Sequence, residues 1–348
     1  MKELKMEDEA WKPAHDNVRK FERDVLQKTF PNARFSSSGM MGSPDIAPSS
    51  FKAEISPDNL FKGTEYEYKG DGKFIHFTSI LALKSILDTG WIRMSEFSNL
   101  VDKQELVYAS SVFENDKFYT QEFDKLEHLK RNVFCLSACE SSQETQSDSF
   151  MWEIYGDKGA GVFIEFEYTN KQPYSHNLGN VLYGKENLKP LIQLKVLYDQ
   201  FRIETNNFTI QDIFNVILEI KAFHKSKKYQ SEKEVRLLFK QNKNWYEGHD
   251  HTSIYEDFNA KQEVKYFSKL YLKGRNPIVT DENLQKYTEE EICRYYPQIE
   301  IKRICLGYNI SIENKVDIMK FISKLKATNN YDFELWHINN ELEQIRMI

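Results

Sequence analysis

Cysteine is scarce. Cys135, Cys139, Cys293 and Cys305 are the four in a chain of 348 residues, too few for a disulfide framework. Cys135 and Cys139 stand one residue further apart than a Cys-x-x-Cys pair, and no second Cys/His pair follows at zinc-finger spacing. They read as packed residues on one face of a strand, and no metal site is expected. Long apolar runs are missing: nothing approaches the roughly 18 residues of a membrane helix. The opening Met-Lys-Glu-Leu-Lys-Met-Glu-Asp-Glu is too charged for a signal peptide. The expected compartment is the cytoplasm, with no membrane contact. Positive charge is not in excess either. The 47 Lys and Arg against 53 Asp and Glu leave −6, so general polyanion binding is not expected, though a local basic groove is compatible with that balance. There is no internal repeat.

Aromatic residues are abundant: 24 Phe and 19 Tyr, within a chain that is 40% hydrophobic and 29% charged, the balance of a globular protein. Residues 10 to 29 read as a helix with Val18, Phe21, Val25 and Leu26 on one face. Residues 31 to 50, with Pro31, Ser36 to Ser38, Gly39, Gly42, Pro44 and Pro48, read as loop or linker. Phe74 to Phe77 reads as a strand. Thr78 or Ser79 caps a helix carrying Ile80, Leu83, Ile86 and Leu87, Gly90 suits the left-handed position past its end, and a strand, Trp91 to Ser95, follows. Residues 113 to 131 suggest a surface helix, Asn132 to Cys139 a strand, and Glu140 to Asp148 a mobile polar loop. A short helix around Trp152 leads through glycines into a strand, Val162 to Phe166. Residues 191 to 199 read as another strand. Residues 210 to 224 form the clearest helix, capped by Thr209. It ends in His224-Lys225-Ser-Lys227-Lys228-Tyr229, a basic cluster read as a solvated helix end that could otherwise touch phosphate. Residues 241 to 262 read as a polar loop whose His249 and His251 have no third ligand nearby. Strands are expected at Val264 to Leu272, Ile299 to Gly307 and Asp332 to Ile338. Ser311 caps a helix with Val316, Met319, Ile322 and Leu325 on its apolar face.

Three places carry candidate chemistry. His76 ends a strand facing a helix N-terminus, which suits a polar contact to a ligand or a structural histidine. Trp152 and Tyr155, three apart, share a helix face beside a Gly-rich turn; they could stack on a flat ring or pack in the core. Glu232, Glu234 and Arg236 fall on one face of a strand. Two carboxylates in line with a guanidinium are costly unless wet, paired or functional. This is the strongest indication of chemistry, against a surface salt bridge as the alternative. Separately, helical Glu22, then Asp45 and Glu54, resemble the start of a PD-(D/E)xK nuclease, with Ser56 where its Lys should be. Residues 1 to 60 are therefore expected to be a helical extension and linker ahead of a main domain over residues 61 to 348.

The motifs Phe74-Ile-His76-Phe-Thr78-Ser, Asp102-Lys-Gln-Glu105, Ser149-Phe-Met-Trp152-Glu-Ile-Tyr155-Gly, Gly161-Val-Phe-Ile-Glu-Phe, Glu232-Lys-Glu234-Val-Arg236 and Ile304-Cys-Leu-Gly307-Tyr stand in that order. Together, over residues 72 to 338, they resemble a large bacterial family of uncharacterised proteins that includes AbiGi-type abortive-infection proteins. Val101 departs from the family's usual Asn, and Val235 from a frequent aromatic. The layout is similar to that of ADP-ribosyltransferases. The resemblance implies an α+β fold of split antiparallel β-sheets with flanking helices, holding NAD+ as substrate in the cleft. Nicotinamide departure leaves a ribosyl oxocarbenium ion, as in glycoside cleavage, and a carboxylate at the ribose stabilises that charge. By resemblance, Glu234 is catalytic and Glu232 positions the acceptor. His76 holds the adenosine ribose or phosphate side of NAD+, and Thr78 also binds NAD+. Tyr155, helped by Trp152, stacks on nicotinamide, and Arg236 pairs with a Glu or binds phosphate. The implied protein is an antiviral-defence toxin that transfers ADP-ribose to a macromolecular acceptor, protein or nucleic acid, and has an antitoxin or defence-system partner. A non-enzymatic sensor or interaction module is the alternative, and a metal-dependent nuclease the less favoured one.

Overall fold

The computed structural model describes residues 2–39, 50–55, 60–97, 108–125, 133–169, 176–210, 213–240, 254–258, 262–273, 298–329 and 331–347. Helix α1 (Lys2–Phe21) continues through a π turn, Glu22–Leu26, to Thr29. Strands β1 (Phe35–Gly39) and β2 (Ser50–Ile55) pair antiparallel. Then come β3 (Lys73–Thr78), α2 (Ile80–Thr89) and β4 (Trp91–Glu96). Helix α3 (Lys117–Lys125) precedes β5 (Val133–Glu140), α4 (Gln143–Gln146), α5 (Ser149–Ile154) and β6 (Val162–Tyr168). Next are β7 (His176–Asn180), β8 (Leu182–Tyr183), α6 (Lys189–Glu204), β9 (Thr209–Ile210), α7 (Ile213–Lys221), β10 (His224–Lys225) and β11 (Glu234–Lys240). The described chain ends with β12 (Ile254–Phe258), β13 (Val264–Leu272), β14 (Gln298–Leu306), α8 (Ile312–Asn329), β15 (Glu334–Ile338) and β16 (Gln344–Arg346).

The fold is α+β, built on an 11-stranded mixed sheet. Its centre is a ring. β4 pairs β5, β5 pairs β3, β3 pairs β6 and β6 pairs β14, all antiparallel; β14 then pairs β13 in parallel, and β13 returns antiparallel to β4. Strands β11 and β7 branch from β5, β12 from β13, and β15 and β16 from β14. Strand β5 meets β3 at Cys139 and Glu140 but β4 at Cys135 and Phe134, so the sheet divides between those two contacts.

Alternation along the strands separates two faces. One face carries Phe74, Ile164, Phe166, Leu136, Leu237 and Ile304 and packs against Leu83 and Leu87 of α2 and Ile318 and Ile322 of α8. The other face holds two apolar clusters. The smaller one joins Ile75, Phe77, Cys139, Phe163 and Cys305 to Met151 and Trp152 of α5. The larger joins Val133, Cys135, Leu238 and Phe97 to the helices, where Phe21, Leu26 and Phe30 share one cluster with Leu191, Tyr198, Phe201, Phe214 and Ile217. The N-terminal helix is thus packed into the same core as residues 188 to 223. Between these clusters, in register, lie Ser137 and Arg236.

Several local readings hold in detail. Ser79 caps α2 by accepting the Ala82 N–H at 3.2 Å, and Gly90 ends it at φ 79°. Ser311 accepts the Asn314 N–H at 3.2 Å ahead of α8. Others are corrected. Residues 191 to 199 belong to α6, not a strand: Leu191, Leu194, Tyr198 and Phe201 are the buried positions, a helical spacing, and Pro190 suits its first turn. Part of the expected linker is strand β1. The polar segment 140 to 148 contains α4, capped by Ser142, with Thr145 and Gln146 buried. Helix α3 is not a surface element alone, since Tyr119 is fully buried. On α8 the inward face uses Ile318, while Val316 is exposed. Helix α7 starts at Ile213, and Thr209 lies in a short strand paired with β2. Cys293, His249, His251, Asp45 and Asp102 to Glu105 lie outside the described residues. No helix among the described residues is long and apolar enough to cross a membrane.

Candidate functional site

The expected Glu232–Glu234–Arg236 constellation is assembled, by a different backbone route. Glu234 and Arg236 share one face of β11, next to Cys139 and Ser137 of β5. Glu232 is not in the strand. It ends a 3-10 turn, Lys227–Glu232, and Lys233 at φ 44° swings the chain into β11. That left-handed residue brings the Glu232 carboxylate back beside that of Glu234.

The cation between them is Lys225, expected on a solvated helix end but buried in β10. Its Nζ lies 2.8 Å from Glu232 and 2.7 Å from Glu234. Arg236 donates from Nε to Glu234 Oε1 at 2.6 Å and from Nη2 to Oε2 at 3.2 Å. Its Nη1 donates to the Ala222 carbonyl, and its Cζ stands 5.5 Å from the Phe97 ring centre. The Tyr183 hydroxyl accepts the Glu234 N–H at 2.8 Å. At the other end the Tyr155 hydroxyl donates to Glu232 Oε1 at 2.6 Å. All four ionic side chains are buried, and two positive charges answer two negative ones. Such a closed set offsets the several kcal/mol that each buried ion costs on leaving water.

Electrostatics follow from that closure. Burial pushes the Glu234 carboxyl up, but Arg236 and Lys225 outweigh it and hold it at about 2. Burial, reinforced by the hydrogen bond to Glu232, raises the Tyr155 phenol. The buried Cys139 thiol is raised by desolvation first and then by Glu234 and Glu232, so it is a poor nucleophile. Beside Lys225, His224 is fully buried; its Nε2 lies 2.8 Å from the Tyr66 hydroxyl, and desolvation lowers its pKa to about 4.

The remaining expected site residues lie elsewhere. His76 and Thr78 project from the face of β3 opposite to Ile75, which is in register with Cys139 and, through it, with Glu234. The His76 ring sits in the division of the sheet, with Nδ1 3.1 Å from the Ser137 carbonyl, and burial lowers its pKa. The Thr78 carbonyl lies where a Cβ on residue 161 would come within 2.4 Å, which requires Gly161. Trp152 is fully enclosed. Phe77 and Phe163 pack against it at 5.2 and 5.7 Å between ring centres, and its indole donates to the Gln146 carbonyl at 2.9 Å. Tyr155 turns away from it and is 41% exposed, beside exposed Phe150 and Ile154. So Tyr155, Glu232, Glu234 and Arg236 converge, joined by Lys225 and Tyr183, whereas His76, Thr78 and Trp152 do not. Among the described residues no group of three or more His, Cys, Asp or Glu could hold a metal ion.

The converging residues fall within one stretch of chain. Residues 151–237 match a family model described as a protein of unknown function (DUF2971). The matched stretch runs from α5 into β11 and carries Trp152, Tyr155, Lys225, Glu232, Glu234 and Arg236; His76 and Thr78 precede it. No curated protein and no solved structure matches the chain.

Proposed function

We propose that the chain cleaves the nicotinamide–ribose bond of NAD+ and transfers ADP-ribose to a macromolecular acceptor, as an effector of bacterial antiviral defence, with the chemistry at the Glu232 end of the network. One observation carries this reading. Tyr155, 41% exposed, donates 2.6 Å to Glu232, so displacing one phenol opens one carboxylate of the buried pair to a ligand. Nicotinamide loss develops positive charge on the ribose, and a preorganised anion in a water-poor site stabilises it. Glu232 supplies that anion. Glu234, with both oxygens engaged by Arg236 and Lys225, positions Glu232 through their shared lysine. Exposed Phe150, Ile154 and Tyr155 offer the apolar surface for a flat ring. This reverses the roles implied by resemblance for the two glutamates and drops Trp152 from direct contact.

The test is nicotinamide release from NAD+ by the full chain, with Glu232→Gln in parallel. Release by the native protein and a loss of about a hundredfold or more in the variant, measured at a temperature where circular dichroism shows the variant still folded, supports the reading. Absence of both release and NAD+ binding by calorimetry overturns it. A second reading, a non-enzymatic interaction module of a defence system, is favoured by the closure of the network: each of its charges already has a partner within the chain. Under it, partner capture survives Glu232→Gln.

A further inference from the structure

Away from the ion network, the outer surface of β4, β13 and β12 combines rings and cations. Trp91, Arg93 and Ser95 of β4 stand opposite Tyr271, Lys269 and Phe267 of β13; Tyr255 and Asp257 of β12 stand opposite Phe267 and Lys265. These side chains turn away from Ile92, Met94, Leu270 and Leu272, which face α2 and α8. Trp91 and Phe267 stack at 5.5 Å and 20°, and Phe267 and Tyr255 at 5.6 Å and 26°, a continuous run across three strands. Phe267, in the middle, is buried, while Trp91 and Tyr255 at the ends are half-buried, and among the described residues none of the three joins the apolar clusters packed against the helices. Cations interleave them. The Arg93 guanidinium lies 4.4 Å from the Phe267 ring centre, and Lys269 Nζ lies 3.4 Å from that of Tyr255 and 5.0 Å from that of Trp91.

Among the described residues the charges of this surface are not all answered. Lys269 and Arg93 are directly opposed across the strands, and like charges so placed repel. Asp257 answers Arg93 at 2.5 Å, but among the described residues no carboxylate pairs with Lys269. Arg93 keeps 47% of its side chain exposed, and Trp91, Tyr255 and Lys269 are half-buried. We infer that this face binds single-stranded nucleic acid. Unpaired bases extend the ring stack, tolerantly of sequence because every base has a π face. A phosphate completes the charge on Lys269, and a second competes with Asp257 for the half-exposed Arg93. Phe267 itself is buried between its neighbours; Trp91 and Tyr255 end the run on the outer two of three adjacent strands, roughly 10 Å apart, enough for two splayed bases on a sheet. A duplex hides its base faces, and an acidic peptide leaves the rings unused. The chain's overall negative charge confines such binding to this local patch.

The inference is independent of NAD+ chemistry, and its readout is binding alone. Fluorescence anisotropy with the full chain and labelled single-stranded RNA and DNA of about 20 nucleotides, titrated from about 50 to about 200 mM salt, tests it. The expected result is salt-sensitive binding that Tyr255→Ala weakens about tenfold. Lys269→Ala combined with Arg93→Ala lowers the slope of log K against log salt by about 1.4. Lys269→Ala alone removes one half-buried cation and guards against loss of fold, which circular dichroism and melting check. Three results overturn the inference: no binding at the lowest salt, binding unchanged by these variants, or equal affinity for a duplex or a polyglutamate peptide of similar length.

Discussion

Two charged regions share one side of one sheet and differ in how their charge is settled. Around Glu234 the ions are buried and balanced, and a chain of contacts joins them from Tyr155 to the Ala222 carbonyl. Around Lys269 the cations are reachable by solvent and, among the described residues, Lys269 has no acid paired with it while Arg93 has Asp257. The first region could not survive imbalance, because an uncompensated buried ion costs several kcal/mol. The second tolerates it, because water and rings share the cost. A ligand of the first must displace an internal partner; a ligand of the second completes a charge.

Substitutions of equivalent arginines put the contrast to its hardest trial. Arg236→Ala should cost about 3–5 kcal/mol in denaturant unfolding, since it leaves the two buried carboxylates of Glu232 and Glu234 to share Lys225 alone. Arg93→Ala should cost no more than about 1 kcal/mol, because its pair with Asp257 is half exposed. Similar losses at the two sites would erase the distinction.

Acid sharpens it next. His224, held near 4 when folded against about 6.5 when unfolded, keeps fewer protons in the native state. Its share of stability is present above pH 6.5 and is lost as pH falls towards 4, by roughly 3 kcal/mol in all. Glu234, lowered to about 2, extends the loss from about pH 4 downward by the same sign. Urea melts at pH 7, 5 and 4 should show this decline, and His224→Leu should flatten the part between pH 6.5 and 4. Tyr155→Phe comes third, at about 1 kcal/mol in thermal unfolding, because it removes one hydrogen bond from a carboxylate that keeps Lys225. Smallest is Lys269→Ala, within about 0.5 kcal/mol; a larger destabilisation would mean that the cation holds the ring stack together.

How far the sequence disclosed this arrangement depended on range. Local signals were read well. The cap at Ser79, the glycine at 90 and the alternation of β13 are written in adjacent residues. The convergence of Glu232, Glu234 and Arg236 was visible from type and spacing, though the αL residue Lys233 that achieves it was not. Lys225 was missed because its cluster of Lys227, Lys228 and Tyr229 looks like a solvated helix end, and only the pairing of β10 with β8 buries it. Polar Gln193 and Lys195 alternate with apolar neighbours over the first turns of α6, so its local pattern looks strand-like and masks the helical period that Tyr198 and Phe201 complete. His76 was placed on the right strand, but its face depends on register with β5, which no local pattern encodes. The full burial of Trp152 likewise depends on Phe77, far from it in sequence, and on Phe163 beyond the intervening glycine turn.

The ring closure has a consequence for how the chain is made. Strand β4 is synthesised long before β13, the neighbour it needs, and β14 must follow before the circuit is complete. At ordinary elongation rates of about 5–20 residues per second the ribosome needs on the order of ten seconds or more to deliver that neighbour. Through that interval the nascent chain carries β4 with the edge that β13 pairs left unsatisfied. Newly made copies on a polysome are therefore the population most exposed to chaperone capture and to strand-to-strand association.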